Sequence, residues 1–161
     1  MDKNEKTEYK ANIIPLQGLG VVSRQSPLAL LQVQEVFGFF PEINYELIKL
    51  ESFGDKNKQI SLLDNPPADI FTRELDEAIL NGTADIAIHS AKDLPYPLPQ
   101  GVEVIALFEA FDQSDSLVSR NNLTLETLAA GARIGTSSPT RKKELLALRP
   151  DVEVVSIRGT I

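Results

Sequence analysis

Apolar positions along the chain fall into short blocks whose spacing switches between the two-residue period of strands and the 3.6-residue period of helices. Leu19–Ser23 reads as a short strand, and Pro27–Phe37 as a helix with Leu28, Leu31 and Val36 on its apolar face. Ile43–Leu50 sets Ile43, Tyr45 and Leu47 against Asn44 and Glu46, a strand pattern. Residues 51–69 are rich in Gly, Asn, Asp and Pro and read as a long loop, a feature that in compact domains goes with functional lids or disorder. Phe71–Asn81 is the clearest helix, with Phe71, Leu75, Ala78 and Ile79 at helical spacing and Asn81-Gly82 as its stop. Ala84–His89 follows as a buried strand.

Further on, Val102–Phe108 and Ser116–Ser119 read as strands, and Thr124 as the cap of a brief helix that runs to Ala130 and ends at Gly131. Ile134–Thr136 is a strand leading into a helix over Pro139–Leu148, and Val152–Ile157 is a final strand. This order predicts an α/β protein with a largely parallel sheet. No internal repeat or low-complexity segment is present. The stretch Leu94–Gly101 carries Pro95, Pro97 and Pro99 and suits a hinge. It would divide the chain into a polar extension (1–16), a first domain (17–100) and a second (101–161).

Composition narrows the function classes. The 161 residues include no Cys, which removes disulfides, Cys-ligated zinc, iron–sulfur centres and thiol catalysis within this sequence, and one His, which leaves no His-based metal cluster. No metal site is expected. The net charge of −7 and a pI near 4.8 argue against a nucleic-acid surface. No apolar run approaches the roughly eighteen residues of a membrane span, and the charged N-terminus MDKNEKTEYK is unlike a signal peptide, so the expected compartment is the cytoplasm. Charge is uneven: Arg133–Arg158 holds six basic residues against three acidic ones. Such an island is either a solvated helix face or half of an anion site.

Two segments repeat one local chemistry. In VVSRQSPLAL a strand runs into Ser26 and Pro27; in IGTSSPTRKKEL a strand runs into Ser138 and Pro139. Serine at the N-cap with proline at the first helical position starts a helix. Each start carries a nearby guanidinium, Arg24 or Arg141. Free N–H groups at a helix N-terminus attract anions, and a guanidinium can grip a carboxylate with two hydrogen bonds. Arg141, Lys142 and Lys143 in a first turn oppose the helix dipole and make sense beside an anion. Two ordinary capped helices with incidental arginines fit the same residues. A third segment, IHSAKDLP (88–95), follows a buried strand and so emerges at the carboxyl end of the sheet, where open α/β folds bind ligands. Lys92 there offers a point charge to a carboxylate, and Asp93 a base or counter-charge. A Lys-Asp turn before proline is the plainer alternative, and His89 alone reads as a structural hydrogen-bonder.

Together, SRQSPLAL (23–30), FTRELDEAIL (71–80), ADIAIHSAKDLP (84–95), GTSSPTRKKEL (135–145) and SIRG (156–159), in this order, closely resemble the porphobilinogen deaminase (hydroxymethylbilane synthase) family from about Leu19 to Gly159. The resemblance implies type II periplasmic-binding-protein-like α/β domains with mixed, largely parallel sheets, the second incomplete here, and a smaller third domain absent. It implies condensation of four porphobilinogen molecules into a linear hydroxymethylbilane with release of ammonia, on a dipyrromethane cofactor thioether-linked to a cysteine that this chain lacks. The partners would be porphobilinogen and pyrrole oligomers, without nucleic acid or membrane, and the complete enzyme a monomer.

By position, Asp93 would be the catalytic carboxylate, assisting loss of ammonia and stabilising the cationic methylene-pyrrolenine. Arg24, Ser26, Lys92, Ser138, Arg141 and Arg158 would bind the acetate and propionate groups of cofactor and substrate, with Ser90, Thr136 and Phe71 as lesser candidates. The chain departs from the family pattern in three places. Pro139-Thr140-Arg141 stands where the family has a leucine and a double arginine. In the lid, Ser52-Phe53-Gly54-Asp55 stands for T-R-G-D and Pro67-Ala68-Asp69 for G-K-G, with the loss of two basic residues. The cysteine-free chain is expected to be inactive alone. The alternative reading is a non-catalytic periplasmic-binding-like module for an anionic small molecule.

Overall fold

The computed structural model describes residues 18–110, 112 and 114–158. The polar stretch 1–16 lies outside them. The chain forms β1 (Leu19–Arg24), α1 (Pro27–Gly38), β2 (Tyr45–Leu50), α2 (Phe53–Lys56), α3 (Arg73–Leu80), β3 (Ile86–Ala87), β4 (Arg133–Gly135), α4 (Pro139–Leu148) and β5 (Glu153–Val155). Two 3₁₀ turns, Ala91–Asp93 and Arg120–Asn122, complete the regular structure among the described residues.

Both sheets are parallel, as the alternation of strands and helices predicts. The first has the order β2-β1-β3, with Leu19 opposite Tyr45, Arg24 opposite Leu50, and Val21 opposite Ile86. The second pairs β4 with β5, Ile134 opposite Val154. The central strand β1 is buried on both faces, which is why LGVVS reads as a continuous apolar run rather than an alternation. Leu19 and Val21 point to one face and pack on Val33 and Phe37 of α1. Val22 points to the other and packs on Leu75 and Ala78 of α3, with Ala84 beside them. Phe37 also stacks on Tyr45, ring centroids 3.9 Å apart. Gly20 permits a close approach: a Cβ there would lie 3.2 Å from the Asp85 carboxylate, which accepts the Gly20 N–H at 2.7 Å.

The core face of α1 differs from the expected one. Its buried stripe is Ala29, Val33 and Phe37, spaced by four, whereas Leu28 and Leu31 are about 60% exposed. The register is set by where the helix meets β1, and periodicity alone could not choose between two apolar stripes of one helix. The 51–69 loop also contains a helical turn, α2, capped by Ser52. Helix α3 begins at Arg73, after a turn in which Thr72 and Arg73 donate backbone N–H groups to the Asp69 carbonyl. Strand β3 is shorter than the expected 84–89, because the Ala84 N–H is taken by the Ala78 carbonyl at the end of α3.

Three expected elements are absent. Residues 102–108 and 116–119 pair with no strand among the described residues, and Ile105, Leu107 and Val118 stand exposed. Apolar alternation makes a strand only where a neighbour accepts its backbone hydrogen bonds. Phe108 instead stacks on Phe39, just beyond α1, at 5.6 Å. Residues 124–130 form turns. There the Thr127 hydroxyl accepts the Thr124 N–H at 2.8 Å and donates to the Thr124 carbonyl, competing with the helix ladder. No helix among the described residues is long and apolar enough to cross a membrane.

Candidate functional site

Parallel strands deliver their carboxyl ends to one edge of the sheet. Arg24 ends β1, Ser52 and Asp55 follow β2, and Ser90, Lys92 and Asp93 follow β3. The N-terminus of α1 opens at the same edge, with Ser26 Oγ accepting the Ala29 N–H at 3.3 Å and Pro27 in the first turn. Residues far apart in sequence therefore meet at one place.

Arg24 is the centre of this group. Its Nε and Nη2 donate to the two carboxylate oxygens of Asp55 at 2.9 and 2.5 Å. Its Nη1 lies 3.7 Å from Asp93 Oδ2, and its guanidinium covers the Phe71 ring at 4.3 Å. Arg158, from the segment after β5, approaches the same ring at 5.7 Å and donates from Nη2 to the Gly54 carbonyl at 2.6 Å. Arg24 and Asp93 are each only 18% exposed in their side chains, so their charges are poorly screened by water. Hydrogen bonding to Asp55, with the Asp93 charge adding to it against burial, raises the Arg24 pKa, so this group stays cationic. Burial pushes the Asp55 carboxyl up, but hydrogen bonds from Arg24 and Ser52 outweigh it and hold the group below the usual carboxylate range.

Asp55 is itself built in. Its Oδ2 accepts from the Ser52 N–H at 3.2 Å and the Ser52 hydroxyl at 2.8 Å, while Ser52 Oγ accepts the Asp55 N–H, a reciprocal capping box at the start of α2. The turn is tied to α3 through the Phe53 N–H and Glu74 at 2.8 Å, and through the Gly54 N–H and the Ile70 carbonyl at 2.7 Å. Glycine at 54 lets Phe71 lie against this turn, since a Cβ there would sit 2.5 Å from the ring. Phe53, where the family pattern has a basic residue, lies under Arg73 at 4.8 Å.

Of the residues singled out in the sequence, Arg24, Asp93, Phe71 and Arg158 converge, and Ser26 and the exposed Lys92 stand at the same sheet edge. Ser90 is engaged by Gln32 of α1, whose Nε2 donates to its hydroxyl at 2.9 Å. Ser138 caps α4 as expected, accepting the Arg141 N–H at 3.3 Å. Thr136 is buried, and its hydroxyl accepts the Ser138 N–H, bracing that cap. Arg141 does not join the Arg24 group: it is half exposed and pairs with Asp115 at 2.6 Å. His89 is half-buried, and its Nε2 has no hydrogen-bond partner among the described residues. Burial lowers its pKa, opposed by the Asp93 charge, and favours the neutral ring. No cluster of metal-ligating side chains occurs among the described residues. Asp55 and Gln32 were missed from the sequence, although Ser52-x-x-Asp55 has the spacing of a capping box.

A family model described as porphobilinogen deaminase, dipyromethane cofactor binding domain, matches residues 19–161. Curated relatives include the porphobilinogen deaminases of Chloroherpeton thalassium, 39% identical over 154 residues (90% of this chain, 48% of the relative), and of Carboxydothermus hydrogenoformans, 39% identical over 145 residues (88% and 47%). That of Geobacter sulfurreducens is 38% identical over 150 residues (91% and 47%). The chain thus spans about half the length of the curated relatives it matches. With a match from the first residue of β1 onward, the chain belongs to the porphobilinogen deaminase family.

Proposed function

We propose that this chain forms the pyrrole-binding part of a hydroxymethylbilane synthase, an enzyme that condenses four porphobilinogen molecules head to tail and releases ammonia at each step. The observation that carries this reading is the Arg24 guanidinium held 4.3 Å over Phe71 and 3.7 Å from Asp93. A pyrrole bearing acetate and propionate groups needs cations for its carboxylates, an aromatic surface for its ring and an acceptor for its N–H. These residues offer all three.

Dipyrromethane fits the same donor set and, when bound, supplies the pyrrole end to which each new unit is added. Arg24, Lys92 and Arg158 would hold its carboxylates and those of the substrate, with Ser26 at the α1 N-terminus adding hydrogen bonds. Ser138 and Arg141 would do the same from α4. Phe71 would stack on a pyrrole face. Asp93 would accept the pyrrole N–H and stabilise positive charge as ammonia leaves. At a poorly solvated position that interaction is worth far more than in water. Ser90 and Thr136 would act by bracing, through Gln32 and Ser138. The sequence contains no cysteine, so the thioether to dipyrromethane is not made by this chain. In this reading the two sheets belong to two periplasmic-binding-protein-like domains, 17–100 and 101–161, of a monomeric cytoplasmic enzyme.

The test is a chimaera in which residues 19–161 replace the matching part of the Chloroherpeton thalassium enzyme. Formation of hydroxymethylbilane from porphobilinogen, with Asp93→Asn lowering turnover by about a hundredfold or more at unchanged folding, is the expected result. A folded chimaera without turnover, or an Asp93→Asn variant of near-normal turnover, contradicts the reading.

A further inference from the structure

Arg24 has five N–H donors arranged as a fork. Asp55 takes the Nε donor and one on Nη2, along one side of the fork. The two donors on Nη1 and the second on Nη2, at the far end, make no hydrogen bond among the described residues. Asp93 does not take them, because 3.7 Å is longer than a hydrogen bond. Phe71 covers one face of the guanidinium, and the donors that Asp55 leaves lie in its plane, on the side away from that pair. We infer that Asp55 is a positioning residue, which grips Arg24 by its Nε–Nη2 side so that its Nη1–Nη2 end faces a ligand carboxylate beside Asp93. This deepens the proposed function and rests on it.

The opposite role for Asp55 is an internal carboxylate that fills the arginine until a ligand displaces it. The surroundings disfavour this. Asp55 is fixed by two hydrogen bonds from Ser52, and its turn is tied to α3 through Glu74 and Ile70. A displaced Asp55 would remain a largely buried carboxylate without its cation, a costly arrangement. The Nη1–Nη2 end, by contrast, offers donors that Asp55 does not use, so a ligand carboxylate could be bound there without displacing it.

The two roles give opposite signs in calorimetric titration of the chain with porphobilinogen. Positioning predicts that Asp55→Asn weakens binding by about tenfold or more, the loss expected of a charge-assisted hydrogen bond. Arg24→Lys should weaken binding comparably, and the double variant no further than the weaker single one. Asp69→Asn breaks a similar bidentate pair with Arg73 in the same lid and should leave affinity within about twofold. Equal or tighter binding by Asp55→Asn overturns the inference, and tighter binding identifies an internal competitor. If Asp55→Asn does not fold, Ser52→Ala carries the test: it removes the shorter of the two Ser52 hydrogen bonds that orient Asp55, without changing charge, and unchanged affinity then counts against positioning. An unaltered chain that binds no porphobilinogen overturns the functional reading and this inference together. Binding that is indifferent to Asp55 overturns the inference alone.

Discussion

Arg158 and Gly54, 104 residues apart, are joined by a 2.6 Å hydrogen bond from the guanidinium Nη2 to the glycine carbonyl. This bond ties the segment after β5 to the turn that carries Asp55. A backbone carbonyl held in this way loses freedom locally, and its loss should be felt in the turn before it is felt in the core. Arg158→Met is therefore expected to speed hydrogen exchange of the amides of residues 53–57 several-fold while leaving Val21 and Val22 of β1 unchanged. Exchange that rises equally in both places would show that Arg158 supports the whole fold.

The two leucines at 75 and 31 test which faces form the core. Leu75 is fully buried between α3 and β1, and truncation to alanine is expected to cost about 2–5 kcal/mol. Leu31 is 60% exposed, and the same change there should stay within about 0.5 kcal/mol. Chemical denaturation of the two variants measures both. Similar losses would place Leu31 in the core, as its spacing in the sequence suggests.

That contrast shows how much of the fold is legible without coordinates. The blocks around β1, α1, β2 and α4 are marked by local signals, such as Ser26-Pro27 and Ser138-Pro139, and each appears where those signals put it. Which stripe of α1 is buried depends on β1, a partner outside the helix. The run 102–108 has the apolar content of a strand, yet pairs with none among the described residues. The site divides in the same manner. Arg24, Asp93, Phe71 and Arg158 are identifiable as motif residues, and parallel strand order brings Arg24 and Asp93 to one sheet edge. The gripping of Arg24 by Asp55 joins residues 31 apart across a lid whose local pattern points only to a turn.

Acid should weaken the fold in two steps of the same sign. Burial lowers the His89 pKa in the folded chain, so the unfolded chain takes up that proton first, and stability falls as pH drops below the ordinary histidine value of about 6.5. Asp55 is held below the usual carboxylate range when folded. Its contribution is complete above the unfolded carboxylate value and is lost as pH falls through the folded one. Denaturation midpoints measured from pH 8 into strong acid should show a shallow fall and then a steeper one, with the difference between the unaltered chain and Asp55→Asn narrowing through the second. A difference that persists in strong acid would mean that the carboxylate charge is not what Asp55 contributes.

The central claim is that the Arg24, Asp93, Phe71 and Arg158 group recognises a pyrrole through its carboxylates. It is tested most directly by calorimetric titration of the chain with porphobilinogen and, in parallel, with the same pyrrole carrying both carboxylates as methyl esters. The account predicts saturable binding of the acid, weakened by added salt, and loss of most of that affinity in the ester. Equal affinity for the two, or binding of neither, would contradict it.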